Sequence, residues 1–207
     1  MIEPGLIDMI LRLRGRGISD NAVLRAMELV NRKHFVEKKY WDQAFEEQSL
    51  PISCGQTLST PMNVAIMTQM LELEPEHKLL EIGTGRGYHT SILCKIVKRV
   101  YSVERYHQLI KEAEANFQRQ AMTNHVIKHG DGRHGWLGQA PFDRIILGCA
   151  LRAEPTKLLD QLAPNGVLVA VIDEQLTRFK KARKAVKSEV LLPLQLPMIE
   201  SGKSKAL

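Results

Sequence analysis

Two spacings of apolar residues divide the chain. Near its start, Leu6, Met9, Ile10 and Leu13, and then Val23, Ala26, Met27 and Val30, recur at three- and four-residue intervals, the period of one face of a helix. They predict helices over residues 6–14 and 20–32, with Ser19 or Asp20 capping the second. After an irregular stretch, Val64, Met67, Met70 and Leu71 form a third stripe that begins at Pro61 and stops before Pro75. From Lys78 the pattern changes to short apolar runs, KLLEI, VYSVE, HVIKH, FDRIIL and GVLVAVI. Helix-length segments over Tyr88–Val97, His107–Gln118 and Pro155–Leu162 separate most of them. Strand and helix in alternation imply an α/β, doubly wound, mostly parallel sheet. The last third breaks the alternation: LTRFKKA and SEVLLPLQL are strand-like without a long helix between them, and predict an antiparallel finish to the same sheet.

At 207 residues and 44% hydrophobic, the chain suits one core. The expected division of this single domain is N-terminal helices and a loop over 1–75, the alternating core over 76–173, terminal strands over 174–198 and a frayed tail over 199–207. No apolar run approaches the roughly 18 residues of a spanning helix, and the start MIEPGLIDMI lacks a signal peptide's basic region. A soluble, cytoplasmic, monomeric protein without a membrane partner is expected. Cys54, Cys94 and Cys149 are far apart and show no CxxC spacing, so they read as packing residues in a reducing compartment. The net charge of +6 comes largely from LRLRGRG and RFKKARKAVK, with only Phe179 interleaved. These runs read as solvated faces rather than a nucleic-acid surface.

The strand LLEI runs into GTGRG, where Gly83, Gly85 and Gly87 allow a tight turn and bare backbone beside a ligand. A dinucleotide fingerprint needs its third glycine at the position of Tyr88, and a Walker loop needs a Gly-Lys-Ser/Thr ending; neither is present. The next strand ends in Glu104, placed to accept from ribose hydroxyls, and the third is followed by Asp131 between Gly130 and Gly132, placed to reach an adenine amino group. An adenosine site without a phosphate cradle fits S-adenosylmethionine, whose sulfonium favours a nearby carboxylate such as Glu81. A metal site at His125, His129, Asp131 and His134 is disfavoured, because on a strand the first two histidines stand about 13 Å apart. His89 and His107 read as helix-surface residues.

Ahead of the glycine turn lies an uncharged stretch, PISCGQTLSTP. A carboxylate acceptor is already ionised at neutral pH and needs no base, only alignment and desolvation, which small hydroxyls such as Thr57, Ser59 and Thr60 supply without neutralising it. The same residues also suit a helix cap, with Ser59 or Thr60 ahead of Pro61.

In this order, RKHFV, LPISCGQTLSTP, LLEIGTGRGY, VYSVER, GDGRHGW, APFDRIIL and LLDQLAPNGVLV resemble the protein-L-isoaspartate (D-aspartate) O-methyltransferases over about Leu6–Leu196. The resemblance implies a Rossmann-like S-adenosylmethionine-dependent fold with a seven-stranded sheet. It implies as substrate the free carboxylate of L-isoaspartyl residues in damaged proteins or peptides, whose ester closes to a succinimide that reopens partly to aspartate. It implies Ser59 as the active-site residue, Gln56, Thr57 and Leu58 in a segment closing over the cofactor, and cofactor contacts at Gly83, Thr84, Gly85, Gly87, Glu104, Asp131 and Gly132. The departures are Ser53 where the family has glycine, LGCALRAEP for an alanine-rich TAAAP, AVID for PVG, and LQLPMI for FVPL. All fall where the acceptor is expected, and Arg152 and Glu154 add charge there. Two alternatives follow: a diverged paralogue methylating another carboxylate or a small molecule, and a non-catalytic S-adenosylmethionine-binding protein.

Overall fold

Seven strands, in the spatial order His125–His129, Arg99–Glu104, Lys78–Ile82, Phe142–Leu151, Leu162–Ile172, Gln175–Ala182 and Ala185–Pro193, form the central sheet of the computed structural model, which describes residues 3–183 and 185–204. Three helices precede it: α1 (Pro4–Gly15), α2 (Asn21–Leu29) and, after a two-stranded hairpin of β1 (Leu50–Pro51) and β2 (Thr57–Leu58), α3 (Pro61–Gln69). The Asp20 carboxylate accepts from the Ala22 and Val23 amides to start α2. That helix ends sooner than its apolar spacing predicts. Asn31 caps a separate 3-10 turn over Arg32–Phe35, a local side-chain bond that competes with continuing the helix.

The alternating region follows as β3 (Lys78–Ile82), α4 (Tyr88–Cys94), β4 (Arg99–Glu104), α5 (His107–Arg119), β5 (His125–His129), β6 (Phe142–Leu151), α6 (Thr156–Leu159) and β7 (Leu162–Ile172). The predicted antiparallel finish is β8 (Gln175–Ala182) on β7 and β9 (Ala185–Pro193) on β8. Successive side chains of a strand take opposite faces. Accordingly Leu79, Ile146, Val167 and Val169 join the core shared with the N-terminal helices, while Leu80, Ile145, Leu147 and Leu168 pack with Phe142, Leu158 and Phe179 on the other face. β3 pairs in parallel with both β4 and β6, so the strand order reverses there and leaves a crevice at the carboxyl ends of these strands.

Candidate active site

A cavity of about 110 Å³ opens at that crevice. The glycine turn forms its floor. At Gly85 (φ +55) an added Cβ would make ordinary contact with Ile52 Cδ1, at 3.6 Å, and meet nothing else within 4 Å, so no protein group crowds this backbone. Gly87 (φ +90) differs: its Cβ would lie 2.6 Å from the Phe117 ring, and its bareness serves the packing of α4 on α5.

Glu104, nearly buried, stands on the cavity wall. Its carboxylate accepts from the amides of Gly85 (2.9 Å), Arg105 (2.7 Å) and Tyr106 (2.9 Å). Burial raises its pKa and those three amides oppose the rise. A carboxylate offers about four lone-pair positions, which leaves capacity for a hydroxyl. Glu81 goes elsewhere. It lies behind the turn, where one oxygen accepts from Thr90 (2.5 Å) and Ser102 (2.7 Å), and burial pushes its pKa up to about 7. The turn's Thr84 bonds the same Ser102 at 2.6 Å, so both side chains tie the turn to β4 and neither lines the cavity.

The uncharged loop forms the opposite wall through Ile52, Gln56, Thr57 and Ser59. Thr60 is the residue that caps α3, accepting from the Asn63 amide at 3.1 Å. Ser59 is therefore released from capping, and among the described residues its hydroxyl has no hydrogen-bond partner. Leu58 is buried in the core beneath. Ser53 donates to Glu112 (2.6 Å), which also pairs with Arg86 (2.9 Å), latching the loop to α5.

Arg32 holds this wall from inside the protein. Fully buried, it donates to the carbonyls of Ala44 (2.7 Å), Gln48 (3.1 Å) and Ser59 (2.7 Å). Sequence reasoning misses this role. The available signal is an arginine in RKHFV placed directly after an apolar helical stripe.

The third wall corrects an expectation. Residues 199–204 do not fray. The segment bridges to β6 through Ala150 N–H to Pro197 O (2.8 Å) and Ile199 N–H to Ala150 O (2.9 Å), and Pro197 to Glu200 line the cavity. Asp131, expected at the adenine, is engaged by Arg133 Nη2 (2.7 Å) and the Gly202 amide (2.8 Å), which hold its carboxyl well below the usual range. Gly132 does line the cavity; an added Cβ would sit 2.3 Å from Ile82 Cγ2. The structure thus gathers Gln56, Thr57, Ser59, Gly83, Gly85, Glu104 and Gly132, and sets Leu58, Glu81, Thr84, Gly87 and Asp131 behind or beside them.

Among the histidines, His89 also departs from expectation. It bonds Thr68 at 2.8 Å between α3 and α4, and burial lowers its pKa to about 4. His107 is exposed, while His125 and His129 turn to Glu114 (3.2 Å) and the Arg105 carbonyl (2.9 Å). Cys94 and Cys149 are desolvated thiols raised to about 12, and Cys149 lies on the cavity wall.

A sequence model described as Protein-L-isoaspartate(D-aspartate) O-methyltransferase matches residues 7–195. The chain belongs to this family. A protein-L-isoaspartate O-methyltransferase of Maricaulis maris is 42% identical over 99% of this chain and 98% of its own length. One from Caulobacter vibrioides is 50% identical over 77% of this chain and 72% of its own. Among solved structures, a protein-L-isoaspartate O-methyltransferase superposes with a TM-score of 0.84 at 22% identity, covering 95% of this chain and 66% of that one. A putative member from Plasmodium falciparum, in complex with S-adenosyl-L-homocysteine, gives a TM-score of 0.81 at 22% identity, with coverages of 93% and 97%. The family's seven-stranded, mostly parallel fold with an antiparallel finish is the fold of this chain.

Proposed function

We propose that this site transfers a methyl group from S-adenosylmethionine to the free carboxylate of L-isoaspartyl residues in proteins and peptides, initiating repair through a succinimide. The observation that carries the reading is the placement of Ser59: a hydroxyl without a protein partner, on the wall opposite the bare backbone of Gly85 and the carboxylate of Glu104. A metal centre is not part of the reading, nor is a general base.

The residues fit the cofactor. Gly83 and Gly85 provide backbone that a ligand can approach, and Glu104 is the acceptor for ribose hydroxyls. Bound there, S-adenosylmethionine would supply an electrophilic methyl group for the acceptor oxygen. The chain's own work is positional. Ser59 and the loop amides orient the carboxylate oxygen without a cation that would blunt it. Arg32 fixes the Ser59 backbone, and the apolar side chains of Ile52 and Leu109 keep water from the reacting oxygen. Thr57 and Gln56 belong to the same wall.

The acceptor's neighbours would reach a second hollow of about 450 Å³ between Ala150, Arg152, Asp173 and Met198, the last shared with the cofactor cavity. Here the chain departs from the family pattern, so this is where we place any preference for flanking sequence. The protein would act in the cytoplasm as a single-domain monomer, with neither nucleic acid nor membrane as partner. The basic C-terminal run supports this, since Arg178 and Lys180 face Glu72 and Lys181 binds the Leu162 carbonyl. Among the described residues no helix is long and apolar enough to cross a membrane.

The test is product conversion. A synthetic isoaspartyl peptide incubated with protein and S-adenosylmethionine should turn partly into its aspartyl form by way of succinimide, resolved by chromatography. A peptide recovered unchanged overturns the assignment.

A further inference from the structure

The segment after β9 forms one wall of the cavity and pairs with Ala150 of β6. It crosses the cavity as an extended strap, and we propose that residues 196–204 compete with the nucleoside end of the cofactor for the same protein groups, so that the strap must lift before the cofactor seats. The inference rests on the reading of this cavity as the S-adenosylmethionine site.

Two independent observations carry it. The first is space. Ligand pockets for molecules of this class run from roughly 300 Å³ upward, and the cavity beneath the strap holds about 110 Å³. Pro197, Met198, Ile199 and Glu200 all form its boundary, and Ile199 reaches to 3.8 Å from the position a Cβ on Gly132 would take.

The second is occupancy of the polar groups. The Gly202 amide donates to Asp131 at 2.8 Å, and the left-handed φ of +74 at Gly202 aims it there. Glu200 accepts from Tyr106 Oη at 3.1 Å and from Gln56 Nε2 at 3.5 Å, and it pairs with the Arg105 guanidinium. Arg105 also donates to the carbonyls of Ser201 (3.2 Å) and Gly202 (3.1 Å). Two of the residues expected at the cofactor, Gln56 and Asp131, thus each give one contact to the strap, Gln56 alongside the Cys54 carbonyl and Tyr106 Oη and Asp131 alongside Arg133.

Its hold is built to release. Among the described residues, backbone-to-backbone bonds from this segment reach Ala150 and the Arg105 carbonyl. Met198 and Glu200 are about half exposed, while Leu196 and Ile199 each pack against a core cluster. Such a segment belongs to the low-stability end of a structure. If it is closed for 90–99% of the time, roughly, the apparent affinity for cofactor is weakened about 10- to 100-fold relative to the open form.

Two full-length variants test this. Glu200→Ala removes the carboxylate from Arg105, Tyr106 and Gln56. Gly202→Pro removes the amide that reaches Asp131 and forbids the positive φ. Calorimetric titration with S-adenosylhomocysteine should show roughly tenfold tighter binding for each variant than for the wild type, the open fraction rising as closing contacts are lost. In the wild type, saturating S-adenosylhomocysteine should speed amide hydrogen exchange over residues 199–204. Equal affinities with unchanged exchange would overturn the strap. Weaker binding by the variants, with slower exchange on adding ligand, would overturn it by making the segment a roof over the cofactor. Failure of every folded form, wild type included, to bind S-adenosylhomocysteine would overturn the cofactor reading itself.

Discussion

Arg32→Met removes the cation that fastens the acceptor wall while leaving a side chain of similar length. Arg32 satisfies three carbonyls at 2.7, 3.1 and 2.7 Å in a fully buried place. Hydrogen bonds from a charged donor contribute about 1.5–3 kcal/mol each, so the gross loss is on the order of 5–9 kcal/mol. Against this, desolvating a guanidinium costs several kcal/mol, a penalty that depresses the Arg32 pKa and that methionine does not incur. The net destabilisation is about 3 kcal/mol, which for a chain of this size lowers Tm by roughly 6–12 °C. Because one of the carbonyls is that of Ser59, the loop should also lose its position, and kcat/KM for an isoaspartyl peptide should fall about 100-fold or more. Arg32→Lys should recover part of both, since one ammonium cannot span three carbonyls in fixed directions. Thermal melts by circular dichroism and initial-rate methylation read the two effects. A methionine variant with Tm within about 1 °C of wild type and kcat/KM within about twofold would refute the reasoning.

Other outcomes follow from the same geometry. Ser59→Ala should lower kcat by about 10- to 100-fold while leaving the S-adenosylhomocysteine Kd within about twofold, because its hydroxyl faces the acceptor rather than the fold; steady-state kinetics with calorimetry check it. Gly85→Val should keep a cooperative melt, with strain of about 1–2 kcal/mol at its positive φ, yet lose measurable binding of S-adenosylhomocysteine. Gly87→Ala should instead destabilise by about 2–4 kcal/mol in urea unfolding, since its Cβ falls 2.6 Å from Phe117. For Glu81 the folded pKa is raised to about 7 from 4.5, so the folded state holds the proton more tightly than the unfolded one. Its contribution is therefore fully present below pH 4.5 and declines as pH rises through about 7. Glu81→Gln should flatten that decline between pH 4.5 and 7 in urea titrations at a series of pH values; a decline as steep as in wild type would exclude Glu81 as its source.

The order of strands and helices is legible in the sequence because the central strands β3, β6 and β7 are apolar runs buried along most of their length, while the half-buried edge strand β5 is placed by the alternation itself. The carboxyl-end positions Gly83, Gly85, Glu104 and Gly132 follow from that order, since a strand's end fixes where the next residue must stand. Direction of side chains is harder to read. Glu81 sits one residue before the end of β3, and strand alternation alone does not say that Thr90 and Ser102 wait behind the turn to receive it. Asp131 stands at the expected place, but its carboxylate is claimed by Arg133 and Gly202, partners set by a loop and by the distant strap. The β1–β2 hairpin is only two residues per strand, below any period a pattern can show. The strap itself has no periodicity, and its polar, glycine-containing composition reads as a loose end. It is ordered by partners about 70 to 145 residues earlier in the chain, such as Asp131 and Gln56.

Methyl transfer to an isoaspartyl carboxylate is tested most directly by two synthetic peptides of identical sequence, one with an aspartyl and one with an isoaspartyl linkage. Each is incubated with the protein and methyl-labelled S-adenosylmethionine, and base-labile methyl esters are counted. Label on the isoaspartyl peptide alone is the predicted result. Absence of label from both, by a protein that binds S-adenosylhomocysteine, would contradict the assignment and move the search to another acceptor carboxylate.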